Sequence, residues 1–300
     1  MTYHDQLVYE GDWVDGETCG KGKLTWPNGS NYNGDFEDDC IHGKGVMKYS
    51  DGKIYEGEWN GNARHGKGKL TYPNGTVYEG EFEDGKKSFG EQRFTNGIIY
   101  KGKFEDGGFC SEGEMCYADG CIYKGDWDGS ERCGYGELRW PSGAIYTGEF
   151  KDDKINVNGK LIFDDGAIYE GEWENNKKNG RGEMTFTNGA VFIGEWEDDE
   201  KCGNGKFNYA DGGVYEGEWE DNERNGHGIC KYPDGSTYEG EWEDDQRNGH
   251  GICKYPDGST YEGEWENGKK HGHGKLIKAD GKKQEGEWIN DEYQKKFRFW

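Results

Sequence analysis

A five-residue pattern, aromatic-x-Gly-x-aromatic, starts at Tyr9, Tyr32, Tyr55, Tyr78, Tyr100, Tyr123, Tyr146, Tyr169, Phe192, Tyr215, Tyr238 and Tyr261. Every step between starts is 23 residues except Tyr78 to Tyr100, which is 22. A thirteenth copy begins at Gln284, keeps Gly286 and Trp288, and then stops. Such self-similarity decides the architecture before any local propensity does, because each copy is too small to bury a core alone and must stack on its neighbours. The spacing divides the chain into an N-terminal strand extension (1–8), about twelve tandem copies with a final half copy (9–288), and a C-terminal cap or docking tail (289–300).

Within one copy, Tyr55, Gly57 and Trp59 alternate with Glu56 and Glu58, and Gly68, Leu70 and Tyr72 alternate with Lys69 and Thr71. Period-two alternation predicts two strands, each with one apolar and one solvated face. Pro73-Asn74-Gly75 predicts a type I turn with a glycine bulge, and all five prolines of the chain hold this place in their copies. The other connection, Asn60 to His65, reads as a longer, polar surface loop. Gly weakens a strand interior, so Gly57 and Gly68 need a reason. A missing side chain leaves room for a neighbouring ring to lie flat over the backbone, which lets one sheet bury rings without a second layer. Consecutive hairpins then pair into a single-layer antiparallel meander. The expected fold is all-β, an elongated twisted rod with an aromatic-lined groove, about 115 Å long at ~4.8 Å per strand.

Composition excludes several classes. The formal charge of −24 and a pI near 4.7 repel phosphate backbones, so nucleic acid is not an expected partner. Attraction to anionic lipid requires basic clusters, and only the tail and scattered loop lysines (Lys269-Lys270, Lys282-Lys283) offer any, so a membrane is not expected to bind the chain strongly. Nine cysteines without a framework suit a reducing, cytoplasmic compartment. No signal-peptide pattern opens the sequence at Met1-Thr2-Tyr3-His4.

Tyr-Glu-Gly-Glu-Trp, then Gly-His-Gly-Ile, then Tyr-Pro-Asp-Gly, as at Tyr215 to Gly235, resembles the MORN repeat (membrane occupation and recognition nexus). Departures are local: Ser88 before Gly90, Ser111 and Val157 in place of a glycine, and Lys278 in place of the second-strand aromatic. The resemblance implies a scaffold in cytoskeletal or ciliary assemblies, such as a radial-spoke head, and several such proteins dimerise. Two alternatives stay open: a phospholipid tether, and a regulatory binding module for an enzyme in trans.

Nothing in the repeat is a single catalytic constellation, so no enzymatic activity and no cofactor are expected. Cys19, His42, His65, Cys110, Cys133, Cys202 and His271 precede the first glycine of the second strand, but neighbouring copies are roughly 10 Å apart, too far to share the ~2.0–2.3 Å bonds of a zinc site. No metal is assigned. The paired carboxylates, such as Glu56 and Glu58, read as a solvated face contributing little to stability. The expected groove for a partner helix or extended peptide is lined by Tyr55, Trp59, Tyr72, Tyr78, Tyr123, Trp127, Tyr169, Trp173, Trp196, Tyr215, Trp219, Tyr238, Trp242, Tyr261 and Trp265. The tail, with Tyr293, Phe297, Phe299 and Trp300 among basic residues, is either a cap on the last strand or a docking peptide. Free sheet edges also allow a homodimer or larger assembly.

Overall fold

The computed structural model describes residues 7–294, which contain 26 β-strands and no helix. The chain divides into two compact units, Met1–Gly143 with Glu149–Asp153, and Ala144–Gly148 with Lys154–Trp300. Each is an antiparallel meander in which successive strands are neighbours, running from Val8–Val14 to Glu131–Arg139 in the first unit and from Lys154–Ile162 to Glu292–Tyr293 in the second.

The copy at Tyr55 shows why these residues fold this way. Its strands are Ile54–Asn60 and Ala63–Thr71, and the next copy opens with Val77–Glu83. Gly75 donates its N–H to Tyr72 O at 2.9 Å and has a φ of +90°, the glycine-bulge type I turn that Pro73-Asn74-Gly75 encodes. The other connection is tighter than its composition suggested. Only Gly61 and Asn62 lie between the strands, with φ of +55° and +70°, a two-residue turn of the type I′ class. The same turn is built from Asp38-Asp39, Asp152-Asp153 and Asn175-Asn176, because short polar side chains tolerate positive φ.

Those turn residues also tie one copy to the copy before it. Asn62 Oδ1 accepts the N–H of Ile41 at 2.9 Å, and the Asn62 N–H donates to Ile41 O at 3.0 Å. Asp39 serves Thr18 in the same way, Asn176 serves Ile155, Asn222 serves Lys201, and Asp291 serves Lys270. Each bond spans 21 residues and joins consecutive hairpins at their tips.

Between Gly57 and Glu58 the pairing slips: Gly57 faces Gly68, but Glu58 faces His65, which leaves Gly66 and Lys67 as a bulge. Gly66 sits at φ +58° there. The equivalent bulge places Ser111 at +57° and Val157 at +64°, so the two replaced glycines keep the backbone conformation that glycine takes. Glycines also pair across successive strands, Gly57 with Gly68 and Gly68 with Gly80, forming a column in each unit. The Tyr55 ring covers this column. A methyl group on Gly68 would lie 2.5 Å from Tyr55 Cε2, and one on Gly57 would lie 2.6 Å from the Gly68 Cα. The ring-over-glycine packing expected from the sequence is therefore how each copy makes its core.

Candidate binding faces

Each sheet presents two faces. On the aromatic face the first-strand rings form a chain of edge-to-face pairs: Tyr238 and Trp242 have centroids 5.1 Å apart at 90°, and Trp242 meets the preceding copy's Tyr215 at 5.3 Å and 83°. The Tyr238 hydroxyl donates to Glu241 O at 2.9 Å, and the Trp242 indole donates to Gly228 O at 3.2 Å. The same bonds recur in other copies, as from Tyr55 to Glu58 O and from Trp265 to Gly251 O, so these polar handles turn inward to backbone carbonyls, whereas the buried Trp59 indole N–H finds no partner.

That arrangement decides what the expected groove residues offer a partner. Tyr55, Tyr78, Tyr123, Tyr169, Tyr215, Tyr238 and Tyr261 are fully buried, and Trp59, Trp127, Trp173, Trp196, Trp219, Trp242 and Trp265 are at most 5% exposed. They are the core of the sheet. Tyr72 alone of that set is half-buried, as are its equivalents Tyr49, Tyr117, Tyr209, Tyr232 and Tyr255. Burial also raises the pKa of these phenols, by penalising the phenolate.

A second set of groups on this face went unseen in the sequence. Cations recurring two residues before the bulge glycine lie flat on the rings: Arg224 Cζ is 4.2 Å from the Trp242 centroid, Arg247 Cζ 4.1 Å from Trp265, and Lys201 Nζ 4.2 Å from Trp219. Arg224 also donates through Nε to Asp245 Oδ1 at 2.8 Å, and this carboxylate is held below its usual range despite its burial, by that guanidinium and the Arg224 N–H. Lys87 stands 4.9 Å from both Tyr72 and Tyr78 and bonds Gln92, and burial pulls its ammonium down to about 8. The signal was present: Arg64, Lys87, Arg132, Lys178, Lys201, Arg224, Arg247 and Lys270 occupy one repeat position.

The opposite face is polar and grooved. Its floor is the glycine column, and its walls are the side chains flanking each glycine. Around Gly68, Gly80 and Gly90 a depression of about 680 Å³ is lined by Glu56, Lys67, Lys69, Glu79 and Lys101, with Phe89 54% exposed at its side. Around Gly182 and Gly194 another of about 410 Å³ is lined by Ile193, Glu195, Arg181 and Asn204. The inner carboxylate of each pair has a structural use that sequence reasoning missed. Asp35, Glu218, Glu241 and Glu264 accept the N–H of the residue after the bulge glycine at 2.9 to 3.1 Å.

The Cys and His ladder does not gather. His42 Nε2 lies 3.3 Å from Glu37 Oε2 and His271 Nδ1 lies 3.2 Å from Glu266 Oε2, while Cys19, Cys110, Cys133 and Cys202 are half-buried free thiols. Among the described residues, no three metal-ligating side chains come together. Tyr293 closes the last strand, donating its hydroxyl to Glu285 O at 3.0 Å while Gln294 N donates to Glu287 O at 2.9 Å. Phe297, Phe299 and Trp300 lie outside the described residues.

Stacked hairpins with one glycine column, one buried ring per copy and short fixed turns define a tandem β-hairpin repeat protein. The MORN repeat matches eleven segments, 9–31, 32–54, 55–77, 78–98 and the seven from 123–145 to 261–283, so the chain belongs to the MORN repeat family. Residues 99–122 are unmatched, yet they fold into the same paired strands, Ile99–Glu105 and Gly108–Cys116, with Ser111 at the bulge. Over 41 residues the chain is 49% identical to ALS2 C-terminal-like protein from Bos taurus and, over the same length, 46% identical to that from Homo sapiens. These matches take in 14% of this chain and 4% of either relative. Among solved structures, the SAS-4 TCP domain of Drosophila melanogaster, in complex with a proline-rich motif of Ana2, is 17% identical with a TM-score of 0.35, over 58% of this chain and 94% of that one. The TCP10 domain of Danio rerio CPAP is 12% identical with a TM-score of 0.28, over 94% of this chain and 100% of that one.

Proposed function

We propose that this chain is a non-catalytic scaffold that holds partner proteins within a larger cytoplasmic assembly, of the cytoskeletal or ciliary kind that the family resemblance implies. One observation carries the reading: the groups that chemistry would need are used, copy after copy, to build the sheet. Tyrosine hydroxyls serve backbone carbonyls, inner carboxylates serve bulge N–H groups, and cations lie on rings. What repeats along each unit is surface rather than a pocket with convergent groups. Long repeated faces are what extended partners bind.

The family's name keeps one alternative in view, a phospholipid surface as the partner. The chain's charge of −24 opposes attraction to anionic headgroups. Cross-linking mass spectrometry of the chain in its native assembly tests the proposal. Reproducible links from sheet-face lysines to a defined set of proteins are expected. Absence of such links, together with flotation of the purified chain on vesicles of phosphatidylserine and phosphatidylcholine at physiological salt, would replace the scaffold by a membrane tether.

A further inference from the structure

The polar face of the second unit carries an apolar feature that its solvated neighbours do not explain. Ile229 is 40% exposed there and Ile252 half-buried, both on the face where Glu and Lys otherwise stand. Register places them in one row across five strands: Glu216 pairs with Ile229, Ile229 with Glu239, Glu239 with Ile252, and Ile252 with Glu262. On the other side of the glycine column, formed by Gly217, Gly228, Gly240, Gly251 and Gly263, a second row holds His227 opposite Glu241 and His250 opposite Glu264.

Charge along these two rows is one-sided. Glu216, Glu218, Glu239, Glu241, Glu262 and Glu264 are exposed, and no lysine or arginine shares their rows on these five strands. Lys231 and Lys254 stand one row further out, opposite Thr237, and the row ends at two cations, Lys206 paired with Glu216 from the strand before, its Nζ 3.8 Å from the carboxylate, and Lys275 paired with Glu262 from the strand after. The first unit shows the contrast, since Lys67 and Lys69 there face Glu81 and Glu79 across the sheet.

Resting on the scaffold reading, we propose that the polar face of residues 214–266 docks a basic amphipathic helix of a partner protein, whose apolar side chains seven residues apart meet Ile229 and Ile252. The spacing fits. Two strands separate the isoleucines by ~9.6 Å, and seven residues of helix rise ~10.5 Å. Lysine or arginine between those apolar anchors falls over Glu239, and their neighbours fall over the row of Glu218, Glu241 and Glu264. Between the two rows the floor is bare backbone, because Gly217, Gly228, Gly240, Gly251 and Gly263 turn toward the tyrosine rings of the other face. Apolar contact supplies specificity, and the carboxylates supply attraction and register.

The test uses the full chain and a fluorescein-labelled synthetic helix with leucine at every seventh position flanked by lysines, read by fluorescence anisotropy at physiological salt. Two control peptides share its length, one with the same composition scrambled and one with glutamate for lysine. Saturable binding is expected, at least tenfold tighter than for either control. The double variant Ile229→Thr/Ile252→Thr, β-branched and on an exposed face, should weaken it at least tenfold with an unchanged circular-dichroism spectrum, and Glu239→Gln/Glu262→Gln should weaken it several-fold. Equal binding of the scrambled peptide, or of the isoleucine variant, would reduce the face to general charge attraction and overturn the proposal. So would a shift of the unliganded chain from dimer to monomer on the isoleucine substitutions, which would make a second copy the occupant. Native cross-links that map to a protein partner on the aromatic face would sink this docking site while leaving the scaffold reading standing.

Discussion

The phenol of each copy does two things at once: its ring fills the space above two glycines, and its hydroxyl satisfies a carbonyl at the bulge. Phe192 separates the two roles. Its ring still lies against the glycine column, with a methyl on Gly194 coming 2.5 Å from Phe192 Cζ, and it still packs edge-on to Trp196 at 5.2 Å. It has no hydroxyl to donate to Glu195 O, where Tyr215 and Tyr238 in the next copies donate to Glu218 O and Glu241 O at 2.9 Å. Phe192→Tyr should therefore stabilise the second unit by about 1 kcal/mol, the net worth of a neutral hydrogen bond formed without new packing. Thermal melting checks it. A melting temperature at or below that of the parent would mean that the hydroxyl adds nothing to the ring's contribution.

At the scale of the hairpin, most of the fold was legible and the exceptions have physical causes. Alternation gave the strands, Pro-Asn-Gly gave one turn, and the side chains missing at Gly57 and Gly68 gave the ring packing. The second turn was misjudged although Asp15-Gly16, Asp84-Gly85, Asp106-Gly107 and Asn267-Gly268 announce a two-residue hairpin, because other copies, such as those with Asn175-Asn176 and Asp198-Asp199, place two Asx residues at positive φ instead. An Asx side chain at the second position adds a bond, as from Ile155 N to Asn176 Oδ1, to the backbone N–H bond that Gly85 and Gly268 also make to the preceding hairpin. The binding faces were less legible. A buried ring and a groove-lining ring have the same sequence pattern, and only the close fit of Tyr55 over Gly68 decides which it is. Asn176→Gly tests the tie between hairpins. Glycine accepts the +70° backbone but loses the 2.8 Å bond from Ile155 N to Asn176 Oδ1, so a loss of about 1–2 kcal/mol is expected, with unchanged β-sheet signal. Melting equal to the parent would leave the backbone bond from Asn176 N to Ile155 O as the whole of the tie.

Across the whole molecule, the buried phenol that recurs in every copy from Tyr9 to Tyr261 except that of Phe192 makes stability depend on alkaline pH in a defined direction. Burial drives the pKa of Tyr55, Tyr100 and Tyr261 up to about 12, and those of Tyr123, Tyr169, Tyr215 and Tyr238 higher still, against an ordinary value of 10.0. In the folded state these groups keep their protons through a range in which the unfolded chain releases them. The unfolded state then binds fewer protons, so stability falls as pH rises. The contribution is fully present below pH 10 and is lost progressively as pH climbs from 10 towards 12. Because the same ring recurs in copy after copy, the losses add, and unfolding should set in steeply within that window. Absorbance near 295 nm, which reports phenolate, should rise together with the loss of the β-sheet circular-dichroism signal, since these phenols ionise only when uncovered. Tyrosine titration that ran to completion near pH 10 on an intact sheet would mean that the rings are open to solvent, and the packing of ring over glycine could not then be what holds each layer together.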